Sequence, residues 1–130
     1  MQSPEFTAKD TVREFERCQK WIENALKYSG GTHETIDIFY GIMDRRMQLW
    51  PAPDGCLVTE IVSYPRKKVL HIFLAGGELG QIKDMQEAVM EWGKQQGCSN
   101  LTLAGRKGWE RALKNQGWKP ILTTLSVDIL

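Results

Sequence analysis

Residues 68–118 read KVLHIFLAGGELGQIKDMQEAVMEWGKQQGCSNLTLAGRKGWERALKNQGW, and this stretch decides the fold. Residues 69–74 are nearly continuously apolar, as a central strand covered on both faces requires, and Ala75-Gly76-Gly77 ends it. Over residues 79–96 the apolar positions Ile82, Met85, Val89 and Trp92 recur at helical spacing, and Gly97 stands where a helix terminator belongs. Residues 101–104 read as a short strand. Residues 106–116 read as a helix with Trp109, Ala112 and Leu113 on one face. The order is strand, glycine corner, helix, strand, helix.

Upstream, Asp10 or Thr11 is positioned to cap a helix whose stripe is Val12, Phe15, Cys18, Ile22, Ala25 and Leu26, stopped by Gly30-Gly31. A second helix is expected from Thr32, with Ile36, Phe39, Tyr40 and Met43 facing inward, although Gly41 weakens it. Residues 47–50 are short and strand-like, residues 51–55 (PAPDG) are dense turn chemistry, and residues 56–64 alternate, so a hairpin follows. Pro65-Arg66-Lys67 turns the chain into the central strand. Beyond Trp118, residues 123–130 are expected to end the chain as a strand. The whole reads as one α/β domain over residues 1–130, with a central mixed, mostly antiparallel sheet flanked by helices.

Composition bounds the function. A chain of 130 residues, 42% hydrophobic and 25% charged, suits one globular domain. Seventeen basic against 16 acidic residues leave a net charge of +1, so no global field gathers nucleic acid or anionic lipid. The basic clusters Arg45-Arg46, Arg66-Lys67-Lys68 and Arg106-Lys107 read as solvated turns and helix ends. No apolar run approaches the roughly 18 residues of a membrane span, and residues 1–6 carry no leader pattern, so no secretion by signal peptide is expected. Cys18, Cys56 and Cys98 are widely spaced and read as reduced, mostly buried thiols, with no metal set.

The phrase Arg106 to Trp118, closing on Gly117-Trp118, together with the element order, resembles the GNAT (N-acetyltransferase-like) superfamily. The set Gln48-Leu49-Trp50, Thr59-Glu60-Ile61, Tyr64-Pro65-Arg66, Leu74-Ala75-Gly76-Gly77 and Gly105-Arg106-Lys107-Gly108-Trp109 resembles small GNAT-like proteins encoded among tailed-phage structural genes. The resemblance implies a single GNAT-like domain. It also implies a turn of the form Gln/Arg-x-x-Gly-x-Gly/Ala, whose amides hold the acetyl-CoA pyrophosphate. With Gly80 as the first glycine of that pattern, Gly77 falls where Gln or Arg belongs and Ile82 where the small residue belongs. Glu78 adds a negative charge, and at ~4 Å its repulsion of a phosphate is about 1 kcal/mol even in water. The tyrosine that protonates the departing thiolate in many family members is replaced by Leu113.

The resemblance therefore implies a degenerate coenzyme-A site with no cofactor. The expected role is a virion-associated structural or assembly protein, located in the virion or the host cytoplasm. Its expected partners are other phage structural proteins (portal, tail or internal) and further copies of itself. Trp21, off the cleanest stripe of the first helix, and Trp50, before a proline turn, are the candidate contact residues. The alternative is an acetyl-CoA-dependent N-acetyltransferase. In that case Glu60 and His71, on neighbouring strands, would manage the proton, and Leu74, Ala75, Gly76, Gly77 and Gly80 would hold the cofactor. Gly76-Gly77 either accepts pantetheine by backbone pairing or merely permits a tight strand-to-helix turn. His33 reads as a surface residue.

Overall fold

The computed structural model describes residues 7–130; the leader reading of Met1 to Phe6 lies outside them. Helix α1 (Ala8–Leu26) is capped by Thr7, upstream of the expected Asp10 or Thr11, because the Thr7 hydroxyl accepts the Asp10 amide at 3.2 Å. It buries Thr11, Phe15, Cys18 and Ile22, so the expected stripe holds in its middle. Helix α2 (Thr35–Met43) starts later than Thr32, at a capping box formed by Glu34 and Asp37. Its inward face is Ile38, Gly41 and Ile42, while Ile36 and Tyr40 are exposed, which corrects the stripe read from sequence. Gly41 supplies the reason: a Cβ there would sit 2.8 Å from Met47 Sδ, so the bare backbone is where α2 meets the sheet.

Strands β1 (Met47–Ala52) and β2 (Gly55–Ser63) form the expected hairpin, with Ala52 opposite Gly55 and only Pro53-Asp54 left as the loop. Pro51 is tolerated because β1 is an edge strand. β3 (Lys68–Gly77) pairs antiparallel with β2 and parallel with β4 (Cys98–Leu103), and α3 (Leu79–Gln95) makes the crossover. The sheet order is β1-β2-β3-β4. Helix α4 (Gly108–Leu113) runs into a 3-10 turn, Lys114–Gln116. Residues 118–130 form no strand, contrary to expectation.

The result is three layers. On one face of the sheet, Phe15, Cys18 and Ile22 of α1 and Ile38 and Ile42 of α2 pack on Leu49, Cys56 and Val58. On the other, Ile82, Met85 and Val89 of α3 pack on Leu57, Leu70 and Ile72, with Trp109 and Trp118 at the margin. Cys18 and Cys56 are buried free thiols and Cys98 is half-buried. The neighbouring Cys18 thiol and burial together push the Cys56 thiol far above its ordinary pKa. Among the described residues, no helix is long and apolar enough to cross a membrane, and no cluster of three or more His, Cys, Asp or Glu forms a metal site.

Candidate functional site

β3 and β4 stay paired only from Lys68 opposite Cys98 to Ile72 opposite Leu103. β4 stops there, whereas β3 runs on to Gly77, so the two part and leave the last residues of β3 without a neighbour on that side. A cleft of about 500 Å³ opens at the parting. Its floor is the β3 segment from Phe73 to Gly77, one wall is Trp21 and Tyr28 of α1 and the turn after it, and the other is Arg106 and Trp109. The Arg106 guanidinium stacks over the Tyr28 ring at 4.0 Å, linking the two walls. Trp109 lies against Gly105, where a Cβ would come within 2.8 Å of the indole.

His71 lines the cleft from β3. Register places Glu60, His71 and Thr102 in one row across three strands. The hydrogen bond of the imidazole is with Thr102, Nδ1 to Oγ1 at 2.8 Å, so threonine rather than the expected Glu60 orients the ring. Burial pushes His71 below the ordinary imidazole pKa, and the Glu60 charge offsets this in part. The ring is therefore neutral near pH 7.

The glycine corner is explained by packing. A Cβ on Gly76 would meet Trp21, 2.9 Å from both its Cβ and its carbonyl oxygen. Gly77, at φ +99°, fits against Asp54 and Gly55 of the hairpin turn, where no Cβ could stand. Leu74, Ala75, Gly76 and Gly77 all line the cleft, whereas Gly80 faces open space on the first turn of α3.

That first turn is latched to the hairpin. The Glu78 amide donates to the Asp54 carbonyl at 2.8 Å, and the Asp54 amide donates to Gln81 Oε1 at 2.6 Å. Gln81 Nε2 in turn donates to Asp54 Oδ2 at 2.9 Å. A carboxylate at a helix N-terminus is favourable, and Gln81 holds the Asp54 side chain there, with Glu78 the residue before the first turn. Sequence reasoning found Glu78 but missed Asp54 and Gln81, which lie 27 residues apart and meet only in the fold.

Trp50 is corrected as a contact residue. It is 1% exposed, its indole N–H donates to Thr59 Oγ1 at 3.0 Å, and its ring meets Trp92 edge-on at 5.8 Å. Trp21 is half-buried and belongs to the cleft wall. Leu113, at the family's tyrosine position, is buried. His33 is half-buried rather than a free surface residue and packs against Phe73 with the rings tilted by 59°. The cleft residue Tyr28 and the His71 partner Thr102, both missed by sequence reasoning, carry no motif; Arg106 and Trp109 stood in the quoted motif without a role.

No family model matches the sequence, and neither does any curated protein. Solved structures do resemble it. The protein TTHA1254 of Thermus thermophilus is 19% identical and superposes at a TM-score of 0.63 over 100% of this chain and 98% of its own. A GNAT family acetyltransferase of Staphylococcus aureus is 12% identical, with a TM-score of 0.62 over 95% of both chains. An acetyltransferase of Trypanosoma brucei is 16% identical, with a TM-score of 0.56 over 75% of this chain and 81% of its own. At such identities the likeness establishes the fold: it is GNAT-like.

Proposed function

We propose that this chain uses its GNAT-like fold as a binding and assembly scaffold and not for acetyl transfer. The observation that carries the reading is the latch at the start of α3. An amide that the family turn aims at phosphate is here committed to the Asp54 carbonyl, and Asp54 and Glu78 would face the anion. The residues present do not fit the diphosphate of coenzyme A, and the buried Leu113 offers no proton to a leaving thiolate.

The cleft is then a docking groove. Trp21, Tyr28 and Trp109 line it, and large aromatic side chains are the usual anchors of protein contacts. The working context we assign is a tailed-phage particle, with portal, tail or internal proteins as partners and the virion or host cytoplasm as location. That assignment rests on the sequence motifs quoted above. Purified particles should contain the chain at fixed stoichiometry, and Trp21→Ala should weaken incorporation by about 2 kcal/mol or more while leaving a folded protein. Mass spectrometry that finds none in clean particles would sink the idea.

A second reading, an acetyl-CoA-dependent N-acetyltransferase, is favoured by one observation: a neutral His71, oriented by Thr102, lines a cleft of about 500 Å³. Calorimetric titration separates the two. The scaffold gives no heat with acetyl-CoA up to high micromolar concentration, whereas clear saturable binding would overturn the scaffold reading and revive the enzyme one.

A further inference from the structure

Phe73 is the extra residue of a bulge in β3: Thr59 stands opposite Ile72 and Val58 opposite Leu74, so Phe73 has no partner on β2. A bulge bends the strand that carries it, and here it falls where β3 and β4 part, just past the pair of Ile72 with Leu103. Among the described strands, residues 73–77 are paired with β2 alone. Alternate residues of a strand turn their N–H and C=O to the same side. The segment therefore presents to the cleft a short row of donors and acceptors, about 17 Å long.

The cleft has a polarity along that row. α1 runs opposite to β3: Arg17 holds the carbonyls of Ala52 and Pro53 in the hairpin turn, Trp21 meets Gly76, and beyond the helix His33 packs on Phe73. Tyr28 follows Trp21 along this course and Arg106 follows Leu103, so their stack bridges the walls at the Phe73 end. Stacking holds the guanidinium by its face and leaves its N–H edge open. Among the described residues, the Arg106 side chain enters no ion pair, and it carries the only permanent charge in the cleft lining. At the other end Glu78 follows Gly77 and Asp54 lies against it, so that mouth is acidic.

We propose that the cleft takes the C-terminal segment of a partner protein as an added strand, antiparallel to residues 73–77, with its free carboxylate on the Arg106 guanidinium. The proposal rests on the reading of the cleft as a docking groove and names its occupant. An open backbone edge calls for a ligand made of amides, and strand addition supplies them. The guanidinium fork matches a carboxylate bidentately. A strand that enters past Gly77 and runs against β3 brings its C-terminus to Arg106. Trp21 and Trp109 receive its side chains from the two walls, and the acidic mouth selects lysine or arginine upstream.

The probe is a pool of synthetic hexapeptides, two lysines followed by four randomised positions, made with free carboxyl ends and again with amidated ends. Members of the free-acid pool are expected to bind the full chain saturably in tryptophan-fluorescence titrations, and amidation should weaken them about tenfold or more. Arg106→Gln, at an exposed position, should cost the free acids the same factor and leave the amidated peptides unchanged. Bound peptide should also slow hydrogen exchange within residues 73–77. The proposal is overturned by a pool without binders, by equal affinity for the two end groups, by an Arg106→Gln loss equal for both, or by unchanged exchange at 73–77. A peptide of residues 121–130 that outcompetes every pool member also overturns it, by making a second copy the occupant. If the hexapeptides fail while Trp21→Ala still weakens incorporation into particles, the docking groove stands without this occupant; saturable acetyl-CoA binding removes the groove reading itself.

Discussion

Gln81 closes a ring with Asp54: its Oε1 accepts the Asp54 amide at 2.6 Å while its Nε2 donates to the Asp54 carboxylate at 2.9 Å. The pair ties the β1–β2 turn to the first turn of α3. Gln81→Ala should lower stability by about 1 kcal/mol, the net worth of such exposed bonds, as read from a urea midpoint. Glu78→Gln removes one acid but leaves its amide on the Asp54 carbonyl. It should therefore create no measurable acetyl-CoA binding by calorimetry, and a clear gain would show that charge alone blocks the site.

Trp50 and Thr59 make the second decisive pair. The Thr59 hydroxyl accepts from the indole at 3.0 Å and donates to Gln48 Oε1 at 2.8 Å, with both Trp50 and Thr59 buried. Thr59→Val strands the indole N–H and should lose about 1–3 kcal/mol. Trp50→Ala should lose about 3–5 kcal/mol through the cavity it leaves. Thermal melts check both, and an unchanged melting point for Trp50→Ala would contradict its burial.

Gly76 and Gly80 should respond oppositely to alanine. Gly76→Ala drives a methyl against Trp21 and should destabilise by about 1–3 kcal/mol. Gly80→Ala meets open space on the first turn of α3 and should be neutral or stabilising by up to ~1 kcal/mol. Equal losses at both sites would point to a role for Gly80 that the packing does not supply.

His71 links pH to stability. Burial lowers its pKa in the folded state, so below the ordinary value of about 6.5 the unfolded chain binds the proton more readily. The contribution of the neutral ring is fully present above pH 6.5 and is lost as pH falls from there toward the lowered folded value. Denaturant midpoints measured from pH 7.5 down to 5 should therefore fall less steeply for His71→Gln than for the unaltered chain. Identical slopes would show that His71 is not held neutral.

Elements with strong local periodicity were legible from residue order. α3 and the hairpin lie within a residue or two of their expected bounds because their side chains alternate at the right period and glycines or prolines punctuate them. α2 was misread: Ile36 and Tyr40 look inward by spacing, but the close approach of Gly41 to Met47 rotates the helix to bury Ile38 and Ile42. The cleft was legible in part. Its glycine floor and His71 stood in the sequence, whereas the Tyr28–Arg106 stack and the His71–Thr102 bond join residues far apart in the chain.

Residue order alone determined a mixed, mostly antiparallel sheet flanked by helices, because that follows from local spacing and side-chain type, and it set Glu78, Ile82 and Leu113 against the pattern that the family resemblance implies. The tertiary structure alone decided that Trp50 is core and Trp21 a cleft wall, and that Asp54 reaches the start of α3. It also decided that residues 123–130, patterned as a strand, have no strand partner among the described residues. A strand pattern states which face wants burial, but the partner edge is set by where the rest of the chain leaves one open.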